Sequence, residues 1–426
     1  MFPAASATYY PTAMNEQLIV KNFGPIKDAT VDFKRVTVFI GPTGGGKSTL
    51  AKLAAVFRDE KYAHSTEDIS KDYYNKYNLK SHFTNTKINT TFLRWNIGVN
   101  KIIVDSKINK QIRSNAKSPY SSEKLNTFIK LSKTLNELKK EYIENNKIFD
   151  TNRINIIKII ELQKENIDAI ESIITVIGQD NIKLTNTSPI YIPSERIFIA
   201  ALEYSWAGIM RDDIGLPKAL LDFANDFSLS RKDIAELSIP FISVKYLHID
   251  GRDFIKIPER EEPLMLLETA SGIQSVTPML VLLEHLSQQQ EQAQSFIIEE
   301  PELNLYPTAQ QGLMNWLVEK CTAGENDLTI TTHSPYILSS CNLLIEAYKV
   351  WQKRPELEAE IDKIVPKASW INPDEFAAYY VADGGVQPIV DERTDLIGGN
   401  ELDSISGDIA DSFRKLLRLQ KQPANA

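Results

Sequence analysis

The sequence contains few cysteines and no long apolar run. Its two cysteines, Cys321 and Cys341, both stand in apolar surroundings, which excludes a disulfide framework or a metal site built on thiolates. No apolar run approaches the roughly 20 residues that a membrane-spanning helix requires, and residues 1–10 lack the basic and apolar regions of a secretion signal. These absences predict a cytoplasmic protein in a reducing compartment, without a membrane partner.

Internal repeats and an excess of positive charge are also absent. No unit recurs at a period of roughly 20–50 residues, which excludes solenoid and propeller architectures. The 48 basic residues are outnumbered by 56 acidic ones, for a formal net charge of −8. This balance disfavours a protein whose whole surface binds nucleic acid, although a local basic patch remains compatible with it. With 426 residues, 42% of them hydrophobic, the chain can bury the cores of two or three domains.

A complete phosphate-binding loop (P-loop) stands near the start of the chain. The apolar run at 35–40 predicts a buried strand, and the loop that follows it leads into an amphipathic helix over 49–57. Backbone N–H groups of such a loop surround a phosphate, Lys47 faces the outer phosphates and Ser48 offers its hydroxyl to Mg²⁺. An ordinary glycine-rich turn is the alternative, and the strand–loop–helix setting disfavours it. The predicted nucleotide-binding residues here are Gly41, Pro42, Thr43, Gly44, Gly45, Gly46, Lys47, Ser48 and Thr49.

Two strands in the second half end in candidate catalytic side chains. The apolar run from residue 295 ends in Glu299 and Glu300, and we expect this strand to lie beside the P-loop strand. Glu299 would then hold Mg²⁺, and Glu300 would polarise the attacking water. The run at 328–333 ends in His333, at the edge where open α/β sheets bind ligands. Solvated acids at a strand end and a structural histidine are the alternatives, and His64, His82, His248 and His285 are predicted to be structural.

A small-residue loop at 268–275 precedes an apolar helix over 276–286. Ser271 and Gly272 at the start of this helix form a second anion-binding surface. Since one nucleotide needs only one phosphate cradle, we expect the second surface to close on ATP held by another copy of the chain. A simple helix cap at Ser271 is the alternative. Arg196 either faces the nucleotide or forms an ion pair with the neighbouring Glu195, and we expect the ion pair.

The segment between about residues 121 and 177 has the apolar spacing of long helices. Two antiparallel helices with a turn near residue 150 would form a short coiled-coil arm, and between about 101 and 183 basic residues modestly outnumber acidic ones. Contact with DNA or RNA is one interpretation, and a solvated helical face is the other. An amphipathic helix is predicted at 404–419.

The order of these motifs resembles the ABC-type ATPase heads of the RecF, SMC and Rad50 group. Residues 21–26 (Lys-Asn-Phe-Gly-Pro-Ile), 298–307 and 331–338 look most like the OLD-type ATPases, to which those of the antiphage systems Septu and PARIS belong. The resemblance covers about residues 14–96 and 186–426. It implies an α/β P-loop NTPase fold, an ABC-type head with an antiparallel β subdomain and an inserted helical hairpin.

Residues 1–13 have no periodicity and are predicted to be a flexible extension, with an upstream start as the alternative. The resemblance also implies a division of the rest of the chain and a set of roles. The division is a head at 14–98 and 186–426, and an arm at 99–185. It further implies ATP and Mg²⁺ as cofactors, a D-loop-like stretch near 302–306 and a switch histidine. The implied catalytic residues are Glu300, His333 and Lys47, the metal ligands are Ser48 and Glu299, and the signature-motif residues at the nucleotide are Ser271, Gly272 and Gln274.

The function implied is an ATP-driven switch whose heads dimerise, or form a larger homo-oligomer, around Mg·ATP. The residues after His333 are too few for the Toprim nuclease domain of some relatives, so we expect a separate nuclease or toxin as effector in an antiphage system. The alternative is a RecF- or SMC-like DNA-binding ATPase of repair or chromosome maintenance.

Overall fold

The computed structural model describes residues 16–59, 62, 67–83, 91–97, 100–105, 110–115, 189–202, 215–289 and 293–398. The predicted extension at 1–13, the helices predicted between about 121 and 177 and the helix predicted at 404–419 lie outside these residues. Contacts divide the chain into two units, residues 114–185 and residues 1–113 with 186–426. Apart from residues 114 and 115, all of the described residues belong to the second unit.

The described elements are strands and helices that follow one another in runs of one to four. The strands are Glu16–Phe23 (β1), Ile26–Phe33 (β2), Val36–Ile40 (β3), Phe92–Ile97 (β4), Asn100–Asp105 (β5), Lys110–Asn115 (β6), Ile190–Ile192 (β7), Glu236–Ile239 (β8), Val244–Ile249 (β9), Arg252–Lys256 (β10), Leu264–Met265 (β11), Ser295–Glu299 (β12), Asp327–Thr332 (β13), Phe376–Ala382 (β14), Gly385–Pro388 (β15), Val390–Asp391 (β16) and Leu396–Ile397 (β17). The helices are Lys47–Arg58 (α1), Glu67–Lys76 (α2), Phe198–Leu202 (α3), Lys218–Ser230 (α4), Ser271–Ser287 (α5), Pro307–Cys321 (α6), Pro335–Lys353 (α7) and Glu358–Ile364 (α8).

A six-stranded sheet in the order β15-β14-β3-β13-β12-β7 forms the centre of the unit. Strands β14, β3, β13, β12 and β7 run parallel, and β15 runs antiparallel to β14. Nearly every residue of β3, β12 and β13 is buried, which fits a parallel sheet covered on both faces. The expected α/β fold with a P-loop strand inside a parallel sheet is therefore confirmed.

The expected position of the Glu-Glu strand was wrong. β12 does not lie beside the P-loop strand β3, because β13 pairs in parallel with both of them, with Leu328 opposite Val36 and Ile330 opposite Ile298. Parallel neighbours are joined by crossovers, and the one through α6 brings the chain back between β12 and β3. The strand that ends at His333 is consequently the direct neighbour of the P-loop strand.

Alternating side chains of the sheet enter two different cores. Val36, Val38 and Ile40 of β3 pack into a core shared with α4, α5, α6 and α7. Phe39 packs into a second core, with α1 and strands β1, β2 and β4. A period of two along each strand divides the residues in this way. Side chains of the sheet that point to the same face as Phe39 therefore face α1, the helix that begins at the P-loop.

An antiparallel sheet in the order β2-β1-β4-β5-β6 covers the face with α1, so the antiparallel β subdomain is present. In this sheet β4 pairs antiparallel with β1. Strands β5 and β6 lie inside the segment assigned to the arm from residue 99. Cross-strand pairing with β4, which no local pattern encodes, places β5 in this sheet.

One buried arginine joins this layer to the central sheet at the amino-terminal ends of its strands. Arg58, at the end of α1, donates to both carboxylate oxygens of Glu16, at 2.9 and 2.7 Å. It also donates to Ser295 of β12 and Thr329 of β13, and pairs with Asp327 at 2.8 Å. This network lies at the opposite end of β12 from the two glutamates, since Ser295 begins the strand and Glu299 ends it.

A four-stranded antiparallel sheet in the order β11-β10-β9-β8 packs on the core with α5. Strands β9 and β10 form a hairpin that turns at Asp250 and Gly251, and both residues have positive φ, at 50° and 77°. Such angles at both central positions match the twist of the flanking strands.

Both cysteines are buried and carry free thiols, as their apolar surroundings predicted. In the part of the chain that the structure describes, no helix combines the length and the apolarity needed to cross a bilayer.

Candidate functional site

The glycine-rich loop lies directly against the end of β14. The chain leaves β3 at Ile40, and α1 begins at Lys47 with Gly46 as its N-cap residue. A Cβ atom built on Gly41 or Gly45 would overlap the carbonyl of Val381. Larger residues at these two positions would therefore push the loop away from the sheet.

The loop presents an exposed tip in front of a buried helix start. Pro42, Thr43 and Gly44 are exposed, Gly45 and Ser48 are partly exposed, and Gly46, Lys47 and Thr49 are buried. Unpaired N–H groups and the positive end of the helix dipole concentrate at such a start. The predicted nucleotide-binding residues of this segment thus form one continuous surface suited to an anion.

Lys47 is a buried amine surrounded by oxygen atoms. Its Nζ donates to the carbonyls of Gly41 at 2.8 Å and Pro42 at 3.0 Å. Burial lowers the pKa of Lys47, while the carboxylates of Glu300, Glu302 and Glu299 act in the opposite direction. The amine belongs to the same electrostatic cluster as the acids that follow β12.

His333 stands between Lys47 and Glu300. Its Nδ1 is 3.5 Å from Lys47 Nζ, and its Nε2 is 3.2 Å from Glu300 Oε1. The backbone N–H of Glu300 donates to the carbonyl of Thr331 at 2.8 Å, which joins the ends of β12 and β13. The structure therefore brings the three predicted catalytic side chains into one chain of contacts at the carboxyl edge of the sheet.

Glu299 is the last residue of β12 and is 2% exposed. Its position alternates with Ile298, so its side chain lies on the α1 side of the sheet, with Ile297. Ser194 Oγ is 3.5 Å from Oε2, and the buried Oε1 has no hydrogen-bond partner within the described ranges. The Tyr191 hydroxyl lies close to this carboxylate but without good hydrogen-bond geometry. The pKa of Tyr191 is raised well above its usual value, mainly by burial and also by the nearby charge of Glu299.

The oxygen atoms in this region suit a hard divalent cation. Mg²⁺ takes oxygen ligands, commonly one or two from the protein, with water and phosphate oxygens completing the shell. The unpartnered Oε1 of Glu299 and the hydroxyl of Ser48 supply ligands of this kind. The residues predicted as metal ligands therefore fit the ion in chemical type.

Glu302 is a buried acid in the predicted D-loop-like stretch, and no role was predicted for its side chain. Its Oε1 accepts from the Thr332 hydroxyl at 2.6 Å and from the backbone N–H of His333 at 3.0 Å. Burial raises its pKa, and these hydrogen bonds act in the opposite direction. Glu302 thus fixes the backbone that carries the His333 imidazole. The sequence indicates Glu302 only as the third acid of the Glu-Glu-Pro-Glu run at the end of β12.

The expected ion pair between Arg196 and Glu195 was wrong. Arg196 is fully buried and donates to four carbonyl oxygens: Pro193 at 3.1 Å, Ser275 at 3.2 Å, Glu299 at 2.6 Å and Glu300 at 2.5 Å. The residue follows β7, which pairs with β12, and this pairing places the guanidinium at the end of β12. Glu195 is exposed and instead accepts from Ser194.

The predicted loop at 268–275 is partly helical, because α5 begins at Ser271 with Ala270 as N-cap and no side-chain cap bond. Ser271 is an exposed residue inside the helix and is not its N-cap, so the cap alternative does not describe it. Gly272 packs on the segment after β12, where an added Cβ would lie 2.5 Å from the Asn304 carbonyl. Gln274 Nε2 donates to the carbonyls of residues 267 and 269. The start of α5 is therefore packed on the loop after β12 through Gly272 and tied to the segment before it through Gln274.

The other described histidines contact structural partners. His82 packs edge-on against Phe23. His248 lies 2.7 Å from the buried Asp253, and His285 lies 3.3 Å from Asp233. His64 lies outside the described residues.

A scan against protein families matches the AAA ATPase domain over residues 14–212 and 215–338. No curated protein matches the chain. Among solved structures, the SMC head domain from Thermotoga maritima is similar with a TM-score of 0.39 and 11% identity, covering 89% of this chain and 99% of that one. The Smc head domain bound to the C-terminal domain of ScpA, from Pyrococcus furiosus, is similar with a TM-score of 0.33 and 10% identity, covering 93% of this chain and 99% of that one. The recombination mediator protein RecF is similar with a TM-score of 0.31 and 14% identity, covering 88% of this chain and 98% of that one.

Proposed function

Because this chain belongs to the AAA ATPase domain family, we propose that it binds Mg·ATP at residues 41–49 and hydrolyses it as an ABC-type molecular switch. The observation that carries the proposal is the unbroken set of contacts from Lys47 through His333 to Glu300. Glu300 and His333 follow the ends of two parallel strands and meet Lys47 at a helix start suited to phosphate.

Each residue of the set has a role that follows from its position. Lys47 exchanges its carbonyl partners for the outer phosphate oxygens and neutralises their charge. Glu300 accepts a hydrogen bond from the attacking water and orients it, and His333 contacts the γ-phosphate. Mg²⁺, held by Ser48 and Glu299, would neutralise charge that develops on the phosphates. Thr49, in the first turn of α1, keeps its backbone at the phosphate end of the helix.

We further propose that the active site is completed by a second copy of the chain. At the start of α5, Ser271 is exposed, while Gly272 is buried against the loop after β12. The exposed face of this helix start is therefore suited to ATP held by another head. Gln274 shapes this surface through its bonds to the loop before the helix. The proposed assembly is a homodimer, or a larger homo-oligomer, that closes around ATP and opens after hydrolysis.

The test combines ATP turnover with particle mass. Glu300→Gln removes the charge that orients water, and we expect turnover to fall by about 10²- to 10⁴-fold, with an ATP-dependent dimer accumulating. Glu195→Gln is the matched control, since Glu195 is a nearby exposed acid, and it should leave both properties unchanged. Wild-type turnover in Glu300→Gln, with no change in mass, would contradict the proposed site.

For the biological setting we propose a cytoplasmic sensor ATPase of an antiphage system, which acts through a separate nuclease or toxin. The motifs at 21–26, 298–307 and 331–338 support this choice by their resemblance to OLD-type ATPases. A DNA-binding role of RecF or SMC kind is the second candidate, supported by the basic excess between about 101 and 183. Phage challenge of cells that carry the gene with its neighbours tests the first. Salt-dependent DNA binding that charge reversal in 101–183 abolishes would favour the second.

A further inference from the structure

Arg196 is a buried cation whose four hydrogen bonds all go to backbone carbonyls. A guanidinium removed from water normally takes a carboxylate as its bidentate partner. Among the described residues, Arg196 forms no ion pair. Burial lowers its pKa to about 10, with the acids at 302, 300 and 299 acting in the opposite direction, so the side chain is charged at neutral pH.

The four acceptors belong to three separate elements. Pro193 precedes the turn that carries Arg196 itself, Ser275 lies in α5, and Glu299 and Glu300 end β12. One planar side chain therefore connects the helix that begins at Ser271 to the strand end that carries the candidate catalytic acid. A fork of fixed geometry with five N–H donors can serve several acceptors at once, which an ammonium on a flexible stem does less well.

The backbone at Glu300 needs such support. Its φ is +43°, in the left-handed region that a residue with a side chain rarely adopts. Conformations of this kind persist where the surroundings hold them. The N–H of Glu300 is held by Thr331 and its carbonyl by Arg196. The direction of the Glu300 carboxylate, which lies 3.2 Å from His333, follows from this backbone conformation.

We propose that Arg196 is a positioning residue for ATP hydrolysis, which holds the carbonyls of Glu299 and Glu300 so that the Glu300 carboxylate points at the attacking water. The inference rests on the proposed function, since it needs ATP turnover as its readout. Arg196 acts through Glu300 and makes no contact with the nucleotide. Through Ser275 it also makes the placement of that carboxylate depend on the position of α5.

The experiment compares two variants of Arg196 with a variant of Arg58. Arg196→Lys keeps the charge but not the fork, and Arg196→Gln keeps amide donors but not the charge. We expect kcat to fall by about 10- to 100-fold in both, as for a reacting group displaced by about 1 Å, while ATP affinity stays within about threefold of wild type. Arg58→Lys is the matched control, because Arg58 is also buried and holds the other end of β12. Its folded fraction should retain the wild-type kcat.

A double variant distinguishes positioning from general stability. If Arg196 acts through Glu300, Arg196→Lys should slow a protein that already carries Glu300→Gln by less than about twofold. A loss in that background equal to the loss in wild type would overturn the proposal. So would an unchanged kcat in Arg196→Lys, an equal loss in Arg58→Lys, or the failure of both Arg196 variants to fold, which would assign Arg196 to stability alone.

The results also separate this inference from the proposed function. A wild-type protein without ATPase activity would refute the function itself. A wild-type protein that hydrolyses ATP and loses that activity in Glu300→Gln, but not in the Arg196 variants, would refute only the positioning role.

Discussion

Replacement of Gly272 by alanine tests the close contact between the start of α5 and the loop after β12. The added Cβ would lie 2.5 Å from the carbonyl oxygen of Asn304 and 3.2 Å from Cδ2 of Leu305. Weakly attractive carbon–oxygen contacts are found at about 3.3–3.6 Å. The helix start or the loop must therefore move by about 1 Å. Because the closer obstacle is backbone, a change of side-chain rotamer cannot relieve it.

Two opposing effects set the magnitude. Overpacking of this kind usually lowers the free energy of unfolding by about 1–3 kcal/mol. Alanine also favours a helix over glycine by up to about 1 kcal/mol, and less in the first turn. We therefore expect Gly272→Ala to destabilise the protein by about 1–2 kcal/mol. Gly272→Val should destabilise it further, since a branched side chain adds volume at the same place.

The assay is urea unfolding, with Ser271→Ala as the matched control. Ser271 occupies the neighbouring position of the same helix turn but is exposed, so its replacement should change the free energy of unfolding by less than about 0.5 kcal/mol. Equal unfolding midpoints for the two variants would refute the close approach of Gly272 to Asn304. The proposed dimer gives the pair a second readout, because Ser271→Ala should lower ATP turnover without lowering stability.

Three further outcomes are expected. Glu302→Ala should lower the free energy of unfolding by about 2–4 kcal/mol and slow ATP turnover. The reason is that buried donors at the end of β13, including the His333 N–H, lose their acceptor. Urea unfolding and an ATPase assay measure the two effects. Arg58→Met should destabilise the fold by about 3–5 kcal/mol by leaving the carboxylate of Glu16 without its partner, while calorimetry shows unchanged ATP affinity. ATP affinity should fall as pH rises through the lowered pKa of Lys47, since only the protonated amine attracts phosphate and the bound nucleotide favours that form. ATP affinity measured as a function of pH tests this. In the control variant Lys47→Arg, ATP affinity should not change over the same pH range, because the guanidinium stays protonated.

The features that could be predicted from the sequence are those encoded within a short segment. The P-loop strand, its loop and α1 follow one another directly, and their types and positions match the expectation within about two residues, as is usual for helix boundaries. The hairpin at Asp250 and Gly251 was predictable because two residues with positive φ define its turn. The residues at the carboxyl ends of β12 and β13 were predictable for a similar reason, since strand ends of a parallel sheet share one edge.

The features that could not be predicted depend on the order of strands in space. The position of β13 between β12 and β3 follows from a crossover through α6, and the strand sequences alone do not specify it. The partners of Arg196 exist only because β7 pairs with β12. The sequence shows a possible partner for Arg196 in the neighbouring Glu195. It cannot show the actual partners, because every residue has a backbone carbonyl. The contact of Glu302 with His333 likewise joins residues of different elements.

The placement of β3 in the sheet constrains how the protein is made. Its two neighbours are β13, at Asp327–Thr332, and β14, at Phe376–Ala382. A ribosome has therefore finished most of the chain before either edge of β3 acquires its partner. Until then the nascent polypeptide carries an apolar strand with open edges, a form prone to self-association. Fragments that stop before Phe376 lack the backbone against which the glycine-rich loop rests, so translational arrest before that point yields a product unable to assemble the phosphate pocket.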